Sequence, residues 1–451
     1  MTAEGKKPRV VLRDQPHYNK DEIAKKAAEI IQSLGIDPSG KSVFVKPSFV
    51  YPSQSPAVLG VITQPAFVAG VCMAMRELGA KRIMVGESSV FGPSRVSFQS
   101  VGVLPLIKGI AEPVYLDEEE MVEVEVEEPF VQGRFRVPKP FLDADLYVSL
   151  PKIKTNMFAE VTLSVKNNLG LLRQRDRLVY HDHRLHKKLA DLFRVRPPDL
   201  VLSDCIVAGE GQGPMMAEPV ELGLMLGGNN AVAVDVVACS LTGYDPSEIE
   251  HLKLLIDAGM GPASTSDIEI DGEELLARGR KFRRPDASII SMSPKIRVFQ
   301  GKEMCCSCGC QGLIRGSMDA YVLRDGPDGV RRMNIILGKP VEDLPDDLDP
   351  EITLVLGDCA EEHRDRGEYV GGCCPRPLDI GLVIRRIMGP IEVELGLPGV
   401  MRAYTGHNLW RMYSMVSGRK LQPIENHLSF GRVVKEYLLM SSLSKKDQDI
   451  P

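Results

Sequence analysis

Four thiols crowd into Cys305-Cys306-Ser307-Cys308-Gly309-Cys310, and three more follow at Cys359 and Cys373-Cys374. Seven of the ten cysteines therefore lie after residue 300, a local specialisation rather than a disulfide framework. Thiolates favour soft or intermediate ions, chiefly the iron of an iron–sulfur centre or zinc. A cubane needs about four convergent thiolates. Cys305 and Cys308 can occupy two corners, and Cys359 and Cys374 can return from strand ends, so these four are the expected ligands of a 4Fe–4S cluster. Adjacent cysteines compete for one compact site, which leaves Cys306 and Cys373 as alternates. Cys310 could replace Cys305. Zinc in a closed Cys₄ site is the alternative cofactor. The regular cysteine spacing of bacterial ferredoxins is absent.

A second set of chemistry-bearing residues lies in the first half. Lys46 ends an apolar run, Glu87 ends another, and Lys152 and Lys154 follow a third. Lys166 and Asn167 come shortly after. Cations and amides just past strand ends suit a carboxylate or phosphate. Lys46, Lys152, Lys154, Asn156, Asn167, Asp204 and Glu210 are the candidate substrate-binding residues. Glu87, Lys166, His183 and His186 are the candidate catalytic groups, since a free histidine exchanges protons near neutral pH. If 173–196 is helical, His183 and His186 share a face. The glycines of 209–213 permit a tight turn but do not have dinucleotide-fingerprint spacing, so neither NAD nor ATP is expected. Asp235, on an apolar helix, could orient a ligand or satisfy a buried backbone group.

The elements that must position these groups read as α/β. Residues 21–34 carry Ile23, Ala27, Ile30 and Ile31 at helical spacing. A buried strand at 42–47, a helix with Thr63 as cap and Pro65 in its first turn, and a strand at 81–86 make a parallel series. Glutamates and arginines alternating with valines and Phe135 over 121–137 predict a hairpin with one solvated face. Further strands are expected at 145–150, 200–204, 222–226, 287–290, 335–337 and 352–356, and helices at 230–241, 378–389 and 431–441. The fold class is thus a mostly parallel open sheet with an inserted hairpin, followed by a C-terminal α/β cysteine-rich domain. The expected division is 1–262, a joining region 263–300, and 301–451.

The chain has 451 residues, 43% apolar and 26% charged, with a formal net charge of -6. That balance argues against nucleic acid as a partner. No apolar run is long enough for a spanning helix, and no signal-peptide core opens the chain, so a cytoplasmic location is expected.

Val45-Lys46-Pro47, Val85-Gly86-Glu87-Ser88, Pro151-Lys152-Ile153-Lys154 and Ser164-Val165-Lys166-Asn167 resemble the family called domain of unknown function 362, as do 199–214 and 230–235. The resemblance covers about residues 10–245. It implies the α/β fold and, because members often carry iron–sulfur clusters, supports that centre here. The doubled cysteines depart from the usual form, as does Asn230-Ala231 where Asp-Pro is usual. The family carries no general reaction over to this chain.

Together these features predict an iron–sulfur redox enzyme acting on a small anionic substrate, with a possible redox partner protein. The alternatives are an electron-transfer, sensor or cluster-delivery protein, and a (de)hydratase using an open cluster iron as Lewis acid.

Overall fold

The computed structural model describes residues 7–51, 53–55, 58–88, 90, 93–389 and 397–417. The expected helix at 431–441 lies outside them. The described residues fall into two compact units. One takes those within Met1–Gln174, His186–Pro285 and Leu395–Gln422, and the other those within Arg175–Leu185, Asp286–Glu394 and Pro423–Pro451.

The first unit is built on a mixed, mostly parallel sheet. Its strands run in the order Glu269–Asp271, Arg9–Asp14, Met216–Gly228, Leu200–Gln212, Leu146–Leu150, Ser42–Pro47, Arg82–Glu87 and Glu112–Tyr115. Pairing is parallel from Leu200–Gln212 through to Glu112–Tyr115, and antiparallel on both sides of Met216–Gly228. Lys152–Asn156 joins Leu200–Gln212 in parallel and carries the short antiparallel strand Glu160–Thr162.

Local chemistry explains the helices. Asn19 caps Lys20–Ser33, its side chain accepting from the amides of Asp21 (3.0 Å) and Glu22 (3.3 Å). Such a cap contributes about 1 kcal/mol. That helix buries Ile23, Ala27, Ile30 and Ile31 against the sheet, each isoleucine contributing roughly 1.5–3 kcal/mol. Thr63 does not cap the next helix as its residue type suggests. Gln64 holds the cap position of Pro65–Glu77, while the Thr63 hydroxyl donates to the Leu150 carbonyl (2.7 Å) and accepts from the Ser48 amide (2.9 Å). A buried carbonyl between strands outcompetes the helix end for that hydroxyl.

The hairpin forms as its alternation predicts. Met121–Glu125 pairs antiparallel with Arg134–Pro138, with Glu123 opposite Arg136 and Glu125 opposite Arg134. Two other expectations change. The strand expected at 222–226 is the end of a much longer one, Met216–Gly228, whose partner Leu200–Gln212 includes the glycines read as a loop. No strand forms at 287–290. The run is too short, and the strand of that region is Ile296–Gln300.

The second unit holds a separate parallel sheet, Ile296–Gln300, Met333–Leu337, Thr353–Leu356 and Glu368–Val370 in spatial order. The helices Gly312–Asp325 and Pro377–Met388 belong to it. Its central strands are fully buried, as continuous apolar runs between helices must be.

Candidate functional site

In the first unit, three neighbouring parallel strands deliver charged groups to one edge. Lys46 lies near the carboxyl end of Ser42–Pro47, Glu87 ends Arg82–Glu87, and Lys152 follows Leu146–Leu150. This is the edge where open α/β sheets bind ligands. Here it carries two buried polar networks.

Lys46 Nζ donates to Glu87 Oε2 (2.8 Å), to the Pro47 carbonyl (2.8 Å) and to Asn167 Oδ1 (3.3 Å). Glu87 also accepts from the amides of Phe49 (3.2 Å) and Ser88 (2.9 Å). The Asn167 amide donates to the Lys46 carbonyl (3.0 Å) and the Ser149 hydroxyl (2.9 Å). Gly170 lets this network close. A Cβ there would stand 2.3 Å from Glu87 Oε1 and 2.6 Å from Lys46 Nζ.

The second network centres on Lys152 and Asp204, both fully buried and 3.0 Å apart. Tyr18 accepts from Lys152 Nζ (2.8 Å) and donates to Asp204 Oδ1 (2.9 Å), while the Gln64 amide donates to Asp204 Oδ2 (3.0 Å). Burial pushes the Lys152 ammonium below its ordinary range, and the charge of Asp204 opposes that shift. Lys154 is depressed further, by burial and by the neighbouring lysines, and its ammonium donates to the Val61 carbonyl.

Other sequence-singled residues are placed as follows. The Asn156 amide donates to Thr162 Oγ1 (3.0 Å) and its oxygen accepts from the Phe158 amide (3.0 Å), so it shapes a turn. Glu210 binds Arg280 (2.7 Å) and the Arg283 amide (3.0 Å). Asp235 accepts from the amides of Ser164 (2.8 Å) and Val165 (3.0 Å); burial lifts its carboxyl to about 7 against those bonds. Lys166 is buried.

The two histidines read as one helical face are not on one helix. The helix begins at Leu185, leaving His183 exposed in the preceding turn. Asp182 creates that turn by accepting from the Arg184 amide (2.9 Å). His186 is buried, with Nδ1 3.0 Å from His251 Nδ1. Burial drives His186 down to about 4 and His251 well below its ordinary value. Sequence reading missed His251; it sits on an amphipathic helix, Glu250–Asp257, with nothing local to mark it.

In the second unit the three cysteine segments follow three strands of the parallel sheet. Cys305–Cys310 comes after Ile296–Gln300, Cys359 after Thr353–Leu356, and Cys373-Cys374 after Glu368–Val370. Parallel strands share a carboxyl edge, so the topology itself gathers the thiols. None is in a disulfide. Cys306 and Cys310 hydrogen-bond to each other. The Cys310 thiol, raised by that bond and by burial, also feels Cys374 and Cys305. Cys305 is raised by burial and feels Cys306 and Cys359; Cys373 feels Asp182, Cys359 and Cys306. Gln311 donates to Cys305 Sγ (3.0 Å), and His181 Nδ1 lies 2.9 Å from the Cys308 carbonyl.

The backbone is pared to glycine beside these sulfurs. A Cβ at Gly309 would meet Cys306 Sγ at 2.7 Å, and one at Gly357 would meet Cys310 Sγ at 2.9 Å. All-thiol donors with glycine around them fit an iron–sulfur or zinc centre in chemical type. Among the described residues, no three His, Cys, Asp or Glu side chains already stand in a ligating arrangement.

The first unit is thus an open α/β domain with its polar residues at strand carboxyl ends, and the second a thiol-rich parallel α/β unit. Residues 43–240 match the family described as Domain of unknown function (DUF362). A thylakoid-associated protein of Synechocystis sp. is 29% identical over 219 residues, 45% of this chain; the match spans 64% of that relative's length. Among solved structures, the lactate racemase apoprotein of Thermoanaerobacterium thermosaccharolyticum aligns over 84% of this chain and 81% of its own at 14% identity, with a TM-score of 0.37. A structural-genomics target from Thermotoga maritima aligns over 74% of each chain at 9% identity, with a TM-score of 0.35. Among the described residues no helix is long and apolar enough to cross a membrane.

Proposed function

We propose that this chain is an iron–sulfur protein, that its second unit holds a 4Fe–4S cluster, and that it serves as a redox enzyme for a small anionic molecule. One observation supports the cluster above all: three cysteine segments far apart in sequence leave the same edge of one parallel sheet. Four ligands would come from Cys305, Cys306, Cys308, Cys310, Cys359, Cys373 and Cys374. The Cys305, Cys308, Cys359 and Cys374 set follows from spacing, and the bond between Cys306 and Cys310 brings that pair into contention. When bound, such a cluster transfers single electrons at a potential set by burial and by hydrogen bonds to its sulfurs. Gln311 is placed to give one such bond, to Cys305.

A second reading, cluster delivery or sensing, is favoured by the number of thiols, which exceeds the corners of one cubane. Spare thiolates suit ligand exchange.

Anaerobic purification followed by iron, sulfide and zinc analysis, with electron paramagnetic resonance before and after dithionite, tests the centre. About four iron and four sulfide per chain with a reducible signal is the expected result. Stoichiometric zinc without sulfide would overturn it. Retention of a cluster that leaves on addition of an apo-acceptor protein would favour the delivery reading.

A further inference from the structure

One short segment of the first half of the chain, Arg175–Leu185, belongs to the second unit. It comes from the basic, histidine-bearing stretch 173–196, which the function proposed above leaves unused. Its turn is closely specified. Tyr180 holds left-handed backbone, φ 55°, a conformation that is costly for a residue with a Cβ and persists where the surroundings over-determine it. Arg184 lies over the Tyr180 ring, 4.4 Å from its centroid. Its guanidinium is bidentate to Asp182, Nε donating to Oδ1 (2.9 Å) and Nη2 to Oδ2. The Asp182 side chain is only 2% exposed.

This turn stands against two of the three cysteine segments. The Cys373 thiol, a weak donor, gives its hydrogen to Asp182 Oδ2 over 3.8 Å. His181 Nδ1 is 2.9 Å from the Cys308 carbonyl. A carbonyl only accepts, so His181 carries a proton on Nδ1 and donates it there. Gly309 admits the contact. A Cβ there would stand 3.4 Å from the His181 carbonyl oxygen and 3.7 Å from Asp182 Cα. His181 and Cys308 are 127 residues apart in sequence, and Asp182 and Cys373 are 191 apart, so the fold of the second unit brings them together and chain connectivity does not.

We propose that the turn 180–184 is a working part of the metal centre, with Asp182 and His181 as positioning residues. Asp182 holds the Cys373-Cys374 pair, and His181 holds the Cys305–Cys310 segment through its backbone. Groups that orient metal ligands in this way commonly carry tenfold to hundredfold of a site's affinity. Asp182 also places a buried negative charge beside the sulfurs, which disfavours the more negative, reduced state of a cluster. Arg184 offsets part of that charge. This inference rests on the second unit being a metal centre, as proposed above.

The test is cobalt(II) titration of the reduced, metal-free full chain, followed by sulfur-to-cobalt absorption, because cobalt(II) takes thiolate sites without sulfide. Asp182→Ala and His181→Phe each weaken cobalt binding about tenfold or more. His181→Phe keeps a ring of similar size, so it serves even where Asp182→Ala does not fold. Asp182→Asn keeps an oxygen for Cys373 and recovers most of the affinity. After anaerobic reconstitution with iron and sulfide, it nevertheless raises the cluster's midpoint potential by about 59 mV, a tenfold change in a one-electron reduction equilibrium. A turn with a merely structural role would not split affinity from potential. Native cobalt affinity in both Asp182→Ala and His181→Phe overturns the proposal. So does an Asp182→Asn chain as weak as Asp182→Ala, or a native chain that binds no cobalt. Iron and sulfide content separates this proposal from the cluster. Cobalt affinity that depends on these residues in a chain that takes up no sulfide retires the cluster and keeps the turn's role. A full cluster of native potential in every variant does the reverse.

Discussion

The charged networks of the first unit and the thiols of the second are both gathered at the carboxyl edge of a parallel sheet, yet they are finished differently. Around Lys46–Glu87 and Lys152–Asp204, opposite charges face each other and backbone groups take up the remaining capacity. Among the cysteines like meets like. Burial raises Cys305 and Cys373, the bond to Cys306 raises Cys310, and that same bond lowers Cys306 to about 6. A network that closes on itself organises a fold. Buried thiols held protonated beside one that ionises easily are groups that a multivalent cation would change most, because a metal binds the thiolate and releases the proton.

The comparison can be broken at several points. Asp204→Ala leaves Lys152 buried and uncompensated and is expected to cost about 3–5 kcal/mol, whereas Lys152→Met with Asp204→Leu costs far less. Urea unfolding of both variants decides this, and equal losses would mean that the pair is worth its charge rather than its closure. The histidine pair gives the next effect. His186 is driven to about 4 by burial, and an unfolded histidine titrates near 6.5. Between these limits the unfolded chain binds a proton that the folded chain refuses. Stability from this group is complete above about pH 6.5 and falls by roughly 3 kcal/mol as pH drops toward 4. Unfolding curves of the native chain and of His186→Gln, measured from pH 7 to 4.5, should diverge in slope, and parallel slopes would contradict the burial argument. Gly170→Ala pushes a methyl into the Lys46–Glu87 contact, with an expected loss of about 1–3 kcal/mol. Thermal unfolding measures it. Gly309→Ala puts a methyl into a buried turn, with an expected loss of about 1 kcal/mol or more. Its methyl meets Cys306 Sγ, so iron bound per folded chain should fall as well. Unaltered iron would remove Cys306 from the candidate ligands.

Much of the architecture was legible because it follows from local pattern. The helix at Lys20–Ser33, the Glu–Arg hairpin and the apolar strands ending at Lys46 and Glu87 all announce themselves by periodicity. What escaped is non-local. The length of the Leu200–Gln212 and Met216–Gly228 pair depends on glycines that read as a loop until a partner strand is present. The strand needs glycine at 209 because a Cβ would strike the Gly60 carbonyl at 2.3 Å. Thr63 looked like a cap because its competing acceptor, Leu150, is 87 residues away. The site was legible in part. Lysines at strand ends were visible as residues, but their pairing with Glu87 and Asp204 was not. His251 left no motif at all, since what marks it is its contact with His186, 65 residues away.

The placement of the cysteines also sets a clock. Glu368–Val370 is the last strand of its sheet, and Cys373 and Cys374 lie just beyond it. During synthesis the early thiols at 305–310 leave the ribosome well before the strand that carries their partners. They spend that interval as bare thiols, exposed to oxidation and to stray metals. A chain built this way depends on its cellular surroundings to keep Cys305, Cys306, Cys308 and Cys310 reduced until the final strand of that sheet is made.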